Sequence, residues 1–422
     1  MEGSPSPALG PAGPCKFSYL VRFKDRHEEM AVCELQSLAR LVGCSDLWVD
    51  PADRYPFVHV RSDQLTPALC DQMCARSMLV QGFYEEFAQG VSYEALVRDM
   101  DLERFRAQAY APGTSLRVAV EVYGSSLTQK EKSSRIFKVL AVLTERVKVD
   151  LKNPTMNLFI FEQMRSRNNI DNELVRIFFA REVSINNNSL QTVYALKDRK
   201  FLNTTSMDPC LSFVMANIGL CERGSLVLDP FVGSGSVLIS CAHFGSACVG
   251  SDYDPRVFHN DTAELTIIDN FRQYGFPDRF LGVVRADFSQ AWMQRDRPMF
   301  DAIITDPPYG VREGIKKIGR KPNKPRRERP EQDAPGYVHV PMRVNYPYAE
   351  LLQDLCDLAA DVLVEGGRLV FWHAADKETP IEAFDADKEL PHHPQMQLIN
   401  VGIQICGTVN RRMCVYEKKK KT

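Results

Sequence analysis

Phe300-Asp301-Ala302-Ile303-Ile304-Thr305-Asp306-Pro307-Pro308-Tyr309-Gly310 is the stretch around which the rest of the chain is organised. Its first six residues are the short apolar run expected of a strand buried on both faces of a parallel sheet. Pro307 and Pro308 end that strand and stiffen the turn after it, because proline offers the ladder no N–H and fixes its own φ. A carboxylate, a rigid turn and an aromatic ring are thereby presented at the carboxyl end of a strand, where open α/β sheets bind ligands. This set suits one difficult step. An amine attached to a nucleobase shares its lone pair with the ring and is a poor nucleophile. The Asp306 carboxylate and the Pro307 carbonyl can accept its N–H bonds and draw that lone pair back to nitrogen, while Tyr309 stacks on the base. A strand-ending turn with a surface aspartate would be spelled the same way, so the upstream sequence has to decide.

Upstream, Leu226-Val227-Leu228 reads as another buried strand and runs into Asp229-Pro230-Phe231-Val232-Gly233-Ser234-Gly235-Ser236. Gly233 and Gly235 let the backbone approach a ligand closely. A helix over Val237–Phe244 points its first amides at the same place. Asp252 ends the next strand, at the separation from the glycines that a ribose-binding carboxylate keeps. A nicotinamide-dependent dehydrogenase fits this far, but the glycines are spaced G-x-G without the third. Leu281–Val284 leads to Asp287 at the end of a third strand, and Phe300–Thr305 is the fourth. Arg368–Trp372 is the fifth, with Leu398–Ile405 and Arg411–Tyr416 as a terminal hairpin. Helices are expected from the Thr204–Pro209 region to Leu220, over Pro255–Asn270 and over Tyr348–Leu363. Asp208 or Ser206 serves as N-cap of the first, and Pro209 suits its first turn. The alternation predicts an α/β fold, a doubly wound, mostly parallel sheet with an antiparallel edge.

Before this lies a different kind of sequence. Met1 to Cys15 is rich in Pro, Gly, Ser and Ala and reads as a disordered tail without the basic and apolar regions of a signal peptide. Phe17–Phe23 and Phe57–Val60 read as strands, and Met30–Val42 and Pro67–Arg76 as helices, a small α+β module. Leu116–Tyr123 alternates like a strand. Lys130 to Lys148 follows as an amphipathic helix whose start is crowded by Lys130, Lys132, Arg135 and Lys138. Cations at that end oppose the helix dipole, so either an external anion or simple solvation accounts for them. Val149-Asp150-Leu151-Lys152-Asn153-Pro154, a strand over Asn157–Phe161, and two further strands within Val175–Ala195 complete this part. Arg312 to Arg329 carries nine Lys/Arg against two Glu directly after the Asp306 turn. A solvated loop or a contact with an anionic polymer would both use it. Lys316, Lys317, Arg320 and Lys321 are the candidate contacts within it.

Composition bounds the reading. The 422 residues, 44% hydrophobic and 25% charged, suit two or three globular domains. No apolar run approaches the ~20 residues of a membrane helix. The net charge of −2 carries no global nucleic-acid signal, so any such signal is local. Twelve cysteines are scattered without CxxC pairs or nearby His at zinc-ligand spacing, which suits reduced cytoplasmic thiols and gives no metal site.

The strand–basic helix–VDLxxP–strand order resembles the THUMP domain, an RNA-binding module of tRNA-modifying enzymes. Asp-Pro-Phe-Val-Gly-Ser-Gly, Asp-Pro-Pro-Tyr-Gly-Val-Arg-Glu and Thr-Ser-Met-Asp-Pro resemble the eukaryotic tRNA guanine-10 N2-methyltransferase family over nearly the whole chain. This resemblance implies a Rossmann-like methyltransferase domain with a mostly parallel seven-stranded sheet, using S-adenosyl-L-methionine, behind ferredoxin-like and THUMP modules. It implies that Thr205, Ser206, Asp229, Phe231, Gly233 and Gly235 hold the cofactor. Asp252 takes the ribose, Asp287 the adenine, and Asp306 adjoins the methyl group. Asp306, Pro307 and Tyr309 act on a guanine N2 amine of tRNA in one in-line step without metal. Lys130, Lys132, Arg135, Lys138, Lys316, Lys317, Arg320 and Lys321 are the candidate RNA contacts. A small zinc-binding activator subunit is the implied partner, in a cytoplasmic heterodimer. The expected divisions are a tail over 1–15, a ferredoxin-like module over 16–95, a THUMP domain over 96–196 and a linker over 197–205. The methyltransferase domain spans 206–422, with a basic loop over 312–345. Two alternatives stay open: an enzyme for another guanine N2 or adenine N6, and a non-catalytic RNA-binding subunit.

Overall fold

The computed structural model describes residues 13, 15–165, 173–202, 206–253, 265–290, 293, 297–310, 314–319, 343–375, 384–405 and 410–421. Of the expected site residues, Thr205, Arg320 and Lys321 lie outside these, as do nearly all of the expected tail and most of the helix expected over Pro255–Asn270. The chain divides into two units, 1–31 with 42–188, and 32–41 with 189–422.

In the first unit the strands are β1 (Phe17–Phe23), β2 (Trp48–Val49), β3 (Phe57–Ser62), β4 (Val80–Gly90), β5 (Ser115–Tyr123), β6 (Lys148–Val149), β7 (Met156–Met164) and β8 (Leu174–Ile185). The helices are α1 (Glu28–Leu41), whose residues from Val32 onward belong to the second unit, α2 (Pro67–Arg76), α3 (Tyr93–Arg98), α4 (Leu102–Ala109) and α5 (Gln129–Leu140). All eight strands form one sheet in the order β2-β3-β1-β4-β8-β7-β5-β6. The expected boundary at 95/96 lies in α3, and the segments on either side of it share this one sheet through the antiparallel pairing of β4 with β8.

Two local expectations need correction. Residues 175–195, expected to hold two strands, form the single strand β8 and then a short helix, α6 (Leu190–Val193). The helix expected to reach Lys148 stops at Leu140. The amides of Thr144 and Glu145 donate instead to the Tyr110 hydroxyl, at 2.9 and 3.0 Å. Leu143 and Val147 still pack on the core, and this continues the apolar pattern past the end of the helix.

The second unit continues with α7 (Pro209–Ile218), β9 (Leu226–Asp229), α8 (Ser236–His243), β10 (Ala247–Asp252), α9 (Ile267–Gln273), β11 (Phe280–Arg285) and β12 (Phe300–Thr305). The small antiparallel pair β13 (Lys316–Ile318) and β14 (Arg343–Asn345) follows. Then come α10 (Tyr348–Val362), β15 (Leu363–Ala375), α11 (Ala386–Glu389), β16 (Met396–Gln404) and β17 (Asn410–Lys418). The sheet order is β11-β10-β9-β12-β15-β17-β16, parallel through β15 and antiparallel in the final hairpin. Strand order reverses between β9 and β12, which fixes the ligand crevice at their carboxyl ends. β9 and β12 are buried apolar strands. α10 covers one face with Leu351, Leu355, Leu358 and Val362, all fully buried.

Residues 197–202, expected as a linker, are packed into this unit. Arg199 Nη1 donates to Ser236 Oγ at 2.7 Å, and Phe201 exchanges two backbone hydrogen bonds with the Asn270 side chain, both 2.8 Å. From Val32–Leu41, Ser37 Oγ accepts from Arg368 Nη1 at 2.9 Å and Glu34 Oε1 accepts from Asn217 Nδ2 at 2.8 Å.

Candidate active site

Four carboxylates gather along the carboxyl edge of the second sheet: Asp229 closes β9, Asp252 closes β10, Asp287 follows β11 and Asp306 follows β12. Asp229 and Asp306 are placed by buried strands that end where a polar residue meets the crevice, Asp252 by the partly buried β10 and Asp287 by the exposed edge strand β11.

Asp229 is buried and serves the framework. Its Oδ1 accepts from Thr305 Oγ1 at 2.6 Å and from the Phe231 amide at 3.1 Å. Burial pushes its carboxyl up to about 7; the charges of Asp252 and Asp306 push the same way, and the two hydrogen bonds oppose them. The next turn has Gly233 at φ +48° and Gly235 at φ +74°. A Cβ on Gly235 would lie 2.8 Å from Ile267 Cγ2, whereas one on Gly233 would meet only the Phe231 carbonyl, at 4.0 Å. Gly233 thus lines open space, a cradle that a ligand can enter and that a side chain would fill. Asp252 Oδ2 accepts from the Gly233 amide at 3.1 Å. The Phe231 ring meets Phe288 edge-on at 4.7 Å and forms an apolar wall.

Ser206 and Ser234 hydroxyls lie 2.8 Å apart, and Ser234 and Ser236 hydroxyls 3.1 Å apart. With Arg199 on Ser236 this makes a polar chain beside the glycine turn. Asp208 caps α7 by accepting from the amides of Cys210 (2.9 Å) and Leu211 (3.4 Å), with Pro209 in its first turn. Asp287 is buried. Its Oδ1 accepts from the amide and hydroxyl of Ser289 at 3.0 and 2.7 Å, and its Oδ2 from the Ile318 amide at 2.5 Å. It thereby ties β13 to the end of β11.

At the Asp306 turn, Pro307 is buried, Pro308 exposed, and Gly310 has φ +74°. The Tyr309 hydroxyl donates to Asp306 Oδ1. Burial raises the Asp306 carboxyl above the usual carboxylate range, opposed by Tyr309 and Arg411, and burial likewise raises the Tyr309 phenol. Arg411, from β17, places Nη1 3.5 Å from Asp306 Oδ2. Sequence reasoning singles out neither Arg411 nor Thr305, Ser234, Ser236 and Arg199. Thr305 and the serines adjoin the motifs and are legible by adjacency. Arg411 meets Asp306 only through the sheet order, which no local pattern announces.

The structure separates the expected RNA contacts into two kinds. Lys130 is exposed at the start of α5, but Arg135 Nε donates to buried Glu162 at 2.5 Å, and Lys138 Nζ sits 5.3 Å over the Tyr93 ring. Lys316 is exposed, whereas Lys317 pairs with Glu350 and lies 4.4 Å over Tyr346. Among the described residues, no group of three or more His, Cys, Asp or Glu is arranged to hold a metal, and no helix is long and apolar enough to cross a membrane.

Comparison with known proteins matches residues 17–188 to the Tmrp11 THUMP N-terminal domain and residues 197–321 to the RMKL-like methyltransferase domain. The tRNA (guanine(10)-N(2))-methyltransferase TRMT11 of Dictyostelium discoideum is 32% identical over 95% of this chain and 82% of its own. The Homo sapiens protein of that name is 32% identical over 96% of this chain and 88% of its own. The Saccharomyces cerevisiae tRNA (guanine(10)-N(2))-methyltransferase is 31% identical over 94% of this chain and 92% of its own. Among solved structures, TrmN from Thermus thermophilus covers 95% of this chain and all of its own at 20% identity and a TM-score of 0.46. The parallel part of the sheet carries a glycine turn after its first strand in chain order, β9, and the Asp-Pro-Pro-Tyr turn after its fourth, β12. With relatives at 31–32% identity matching nearly all of this chain and more than four fifths of their own, the chain belongs to the tRNA (guanine(10)-N2)-methyltransferase family.

Proposed function

We propose that this chain methylates the exocyclic N2 amine of guanosine 10 in tRNA, as the catalytic subunit of a two-subunit cytoplasmic enzyme. The observation that carries the reading is the Asp306–Tyr309 turn, which sits beside the strand-order reversal and shares the carboxyl edge with the glycine turn. S-adenosylmethionine, when bound, supplies an electrophilic methyl group. The residues present fit it: the Gly233 cradle and the Ser206–Ser234 hydroxyls suit its methionine end, and Asp252 suits its ribose. Asp287 spends its carboxylate on Ser289 and Ile318 and contributes to the adenine side by holding those segments. Asp229 and Phe231 act from behind, the first fixing β9 against β12 and the second walling the pocket.

With the cofactor bound, Asp306 and the Pro307 carbonyl would accept the N–H bonds of the guanine amine and free its lone pair from the ring. The new N–CH3 bond would form as the sulfonium S–CH3 bond breaks and its electron pair stays on sulfur as a thioether, and the surplus N–H proton would pass to Asp306 and on to water. Tyr309 stacks on the base and, by its hydroxyl, orients Asp306. If the guanosine is paired, it flips out of its stack to reach this turn. The first unit is the tRNA-binding part in this reading, supported by exposed Lys130 on α5, with exposed Lys316 as a second cationic contact near the turn. Arg135, Lys132 and Lys138 support that face, the first through Glu162. Buried free cysteines support the cytoplasmic assignment. The second subunit, small and zinc-binding, is supported by the exposed edge strand β11, where Leu281 is 61% and Val284 42% exposed.

The test is methylation of total tRNA with the cofactor, followed by nucleoside analysis. The expected product is N2-methylguanosine lost when guanosine 10 is replaced. N6-methyladenosine, or no product with the partner present, overturns the reading. Asp306→Ala should lower the single-turnover rate by about 100-fold or more while cofactor and tRNA affinity hold.

A further inference from the structure

Asp306 must be ionised to accept the amine N–H bonds, yet its surroundings work against the charge. Burial raises its pKa. Asp229 at the end of β9 and Tyr348 at the start of α10 both feel its charge, and Asp229 also feels that of Asp252. Tyr309 donates from the same turn. Among the described residues, the cation facing Asp306 is Arg411.

Arg411 is held with unusual care for a side chain at a strand end. Its Nε donates to Gln404 Oε1 at 2.6 Å, on the neighbouring strand of the hairpin. Its guanidinium lies 4.2 Å from the centroid of the Trp372 ring. That ring is fully buried, with its Nε1 3.2 Å from Met215 Sδ. The side chain is only 19% exposed. So braced, Nη1 stands 3.5 Å from both Asp306 Oδ2 and the Tyr309 hydroxyl. That separation is longer than a charge-assisted hydrogen bond, which closes to ~2.7–2.9 Å. The distance has a chemical meaning. A bidentate arginine clamp would stabilise the charge but consume the lone pairs that the amine needs. A guanidinium held back by its indole and amide braces stabilises the same charge and leaves the lone pairs available.

We propose that Arg411 is a positioning residue that keeps Asp306 ionised and oriented while leaving its oxygens to the substrate amine. This rests on the reading of Asp306 as the amine's acceptor. Removing the cation lets burial raise the Asp306 pKa further, so the acid limb of the rate moves to higher pH.

The experiment compares wild type, Arg411→Met, Arg411→Lys and Asp306→Asn, with the partner subunit present. It reads single-turnover rate from pH 5.5 to 9 and cofactor affinity by calorimetry. For Arg411→Met the expected result is a rate about tenfold or more lower at pH 7, an acid limb shifted up by about one pH unit, partial recovery at pH 9, and cofactor affinity within about twofold. Arg411→Lys should restore most of the rate and of the limb. Should the Met variant fail to fold, Gln404→Leu removes one brace and should move the limb in the same direction by less. A loss uniform across pH, or an unmoved limb in every folded variant, overturns the inference. If instead Asp306→Asn turns over like wild type, it is the acceptor reading that fails, and the two failures are distinct.

Discussion

Thr305 Oγ1 donates to Asp229 Oδ1 across 2.6 Å, tying the last residue of β12 to the last residue of β9. The tie sits where strand order reverses, next in sequence to Asp306 and just before the glycine turn, and adds a buried side-chain bond to the backbone pairing of β12 with β9. Thr305→Val keeps the shape and removes the donor. Because Asp229 is buried, the lost partner should cost about 1–3 kcal/mol of stability, and cofactor affinity should fall with it. Thr305→Ser should be near wild type. Urea unfolding and calorimetry measure both, and a valine variant as stable as wild type would show that the tie does not hold the strands.

Asp252 makes a second such link, accepting from the Gly233 amide at 3.1 Å. It shapes the turn and, in the proposed function, takes the ribose hydroxyls. Asp252→Ala should weaken S-adenosylmethionine binding by about 1.5–3 kcal/mol and leave tRNA affinity unchanged. Unchanged cofactor affinity in calorimetry would remove Asp252 from the site.

The elements that can be read from sequence are those whose ends are marked in sequence. β1, α2 and β12 are legible to the residue, because Thr66-Pro67 and the Asp306 turn punctuate them. The Asp208 cap follows from the same chemistry. β4 and helices α3 and α4 escape a sequence reading, since β4 lacks clean alternation and the helices are short. The four carboxylates are legible because each ends its own strand. Arg411 and Arg199 are not. Their roles depend on which strand lies beside which, and the cation-rich start of α5 likewise gives no sign that Arg135 is taken up by Glu162.

His59 supplies a test of the first unit that is independent of catalysis. Its ring contacts Asp53 Oδ2 at 2.7 Å and Glu86 Oε2 at 2.9 Å. Burial by itself would lower its pKa, but the two carboxylates outweigh burial and raise it to about 9. Asp53 is held at about 2 by His59 and Arg176 against the opposing effect of burial. For His59, whose folded pKa exceeds the unfolded ~6.5, the stabilisation is complete below pH 6.5 and disappears as pH rises through 9. For Asp53 the stabilisation is present above the unfolded ~3.9 and is lost as pH falls towards 2. The unit should therefore be most stable between pH 4 and 6.5, losing on the order of 2–3 kcal/mol by pH 9, discounted for partial exposure. His59→Gln should flatten the alkaline part of that profile. An unchanged slope between pH 6.5 and 9 in the variant would assign it to other groups.

The edge of the second sheet carries the last prediction. β11 pairs with β10 on one side, and among the described strands nothing pairs with the other. Edge strands are ordinarily protected by charge, proline or cover, because their unpaired N–H and C=O groups invite another strand. Here Leu281 and Val284 are instead exposed and apolar. Leu281 is the residue skipped by the β10–β11 register, next to Gly282 at φ +134°, and Val284 lies in the regular pairing beyond it, so exposed apolar side chains flank an irregular edge. Such an edge suits a partner that adds a strand and buries this apolar area. Leu281→Lys with Val284→Lys should abolish co-purification with the proposed zinc-binding subunit. Because both side chains already face solvent, the thermal transition of the enzyme alone should be left within a few degrees. If the doubly substituted chain still binds the subunit with unchanged affinity, the partner docks elsewhere. If the unsubstituted chain alone is monodisperse and fully active, the edge needs no partner.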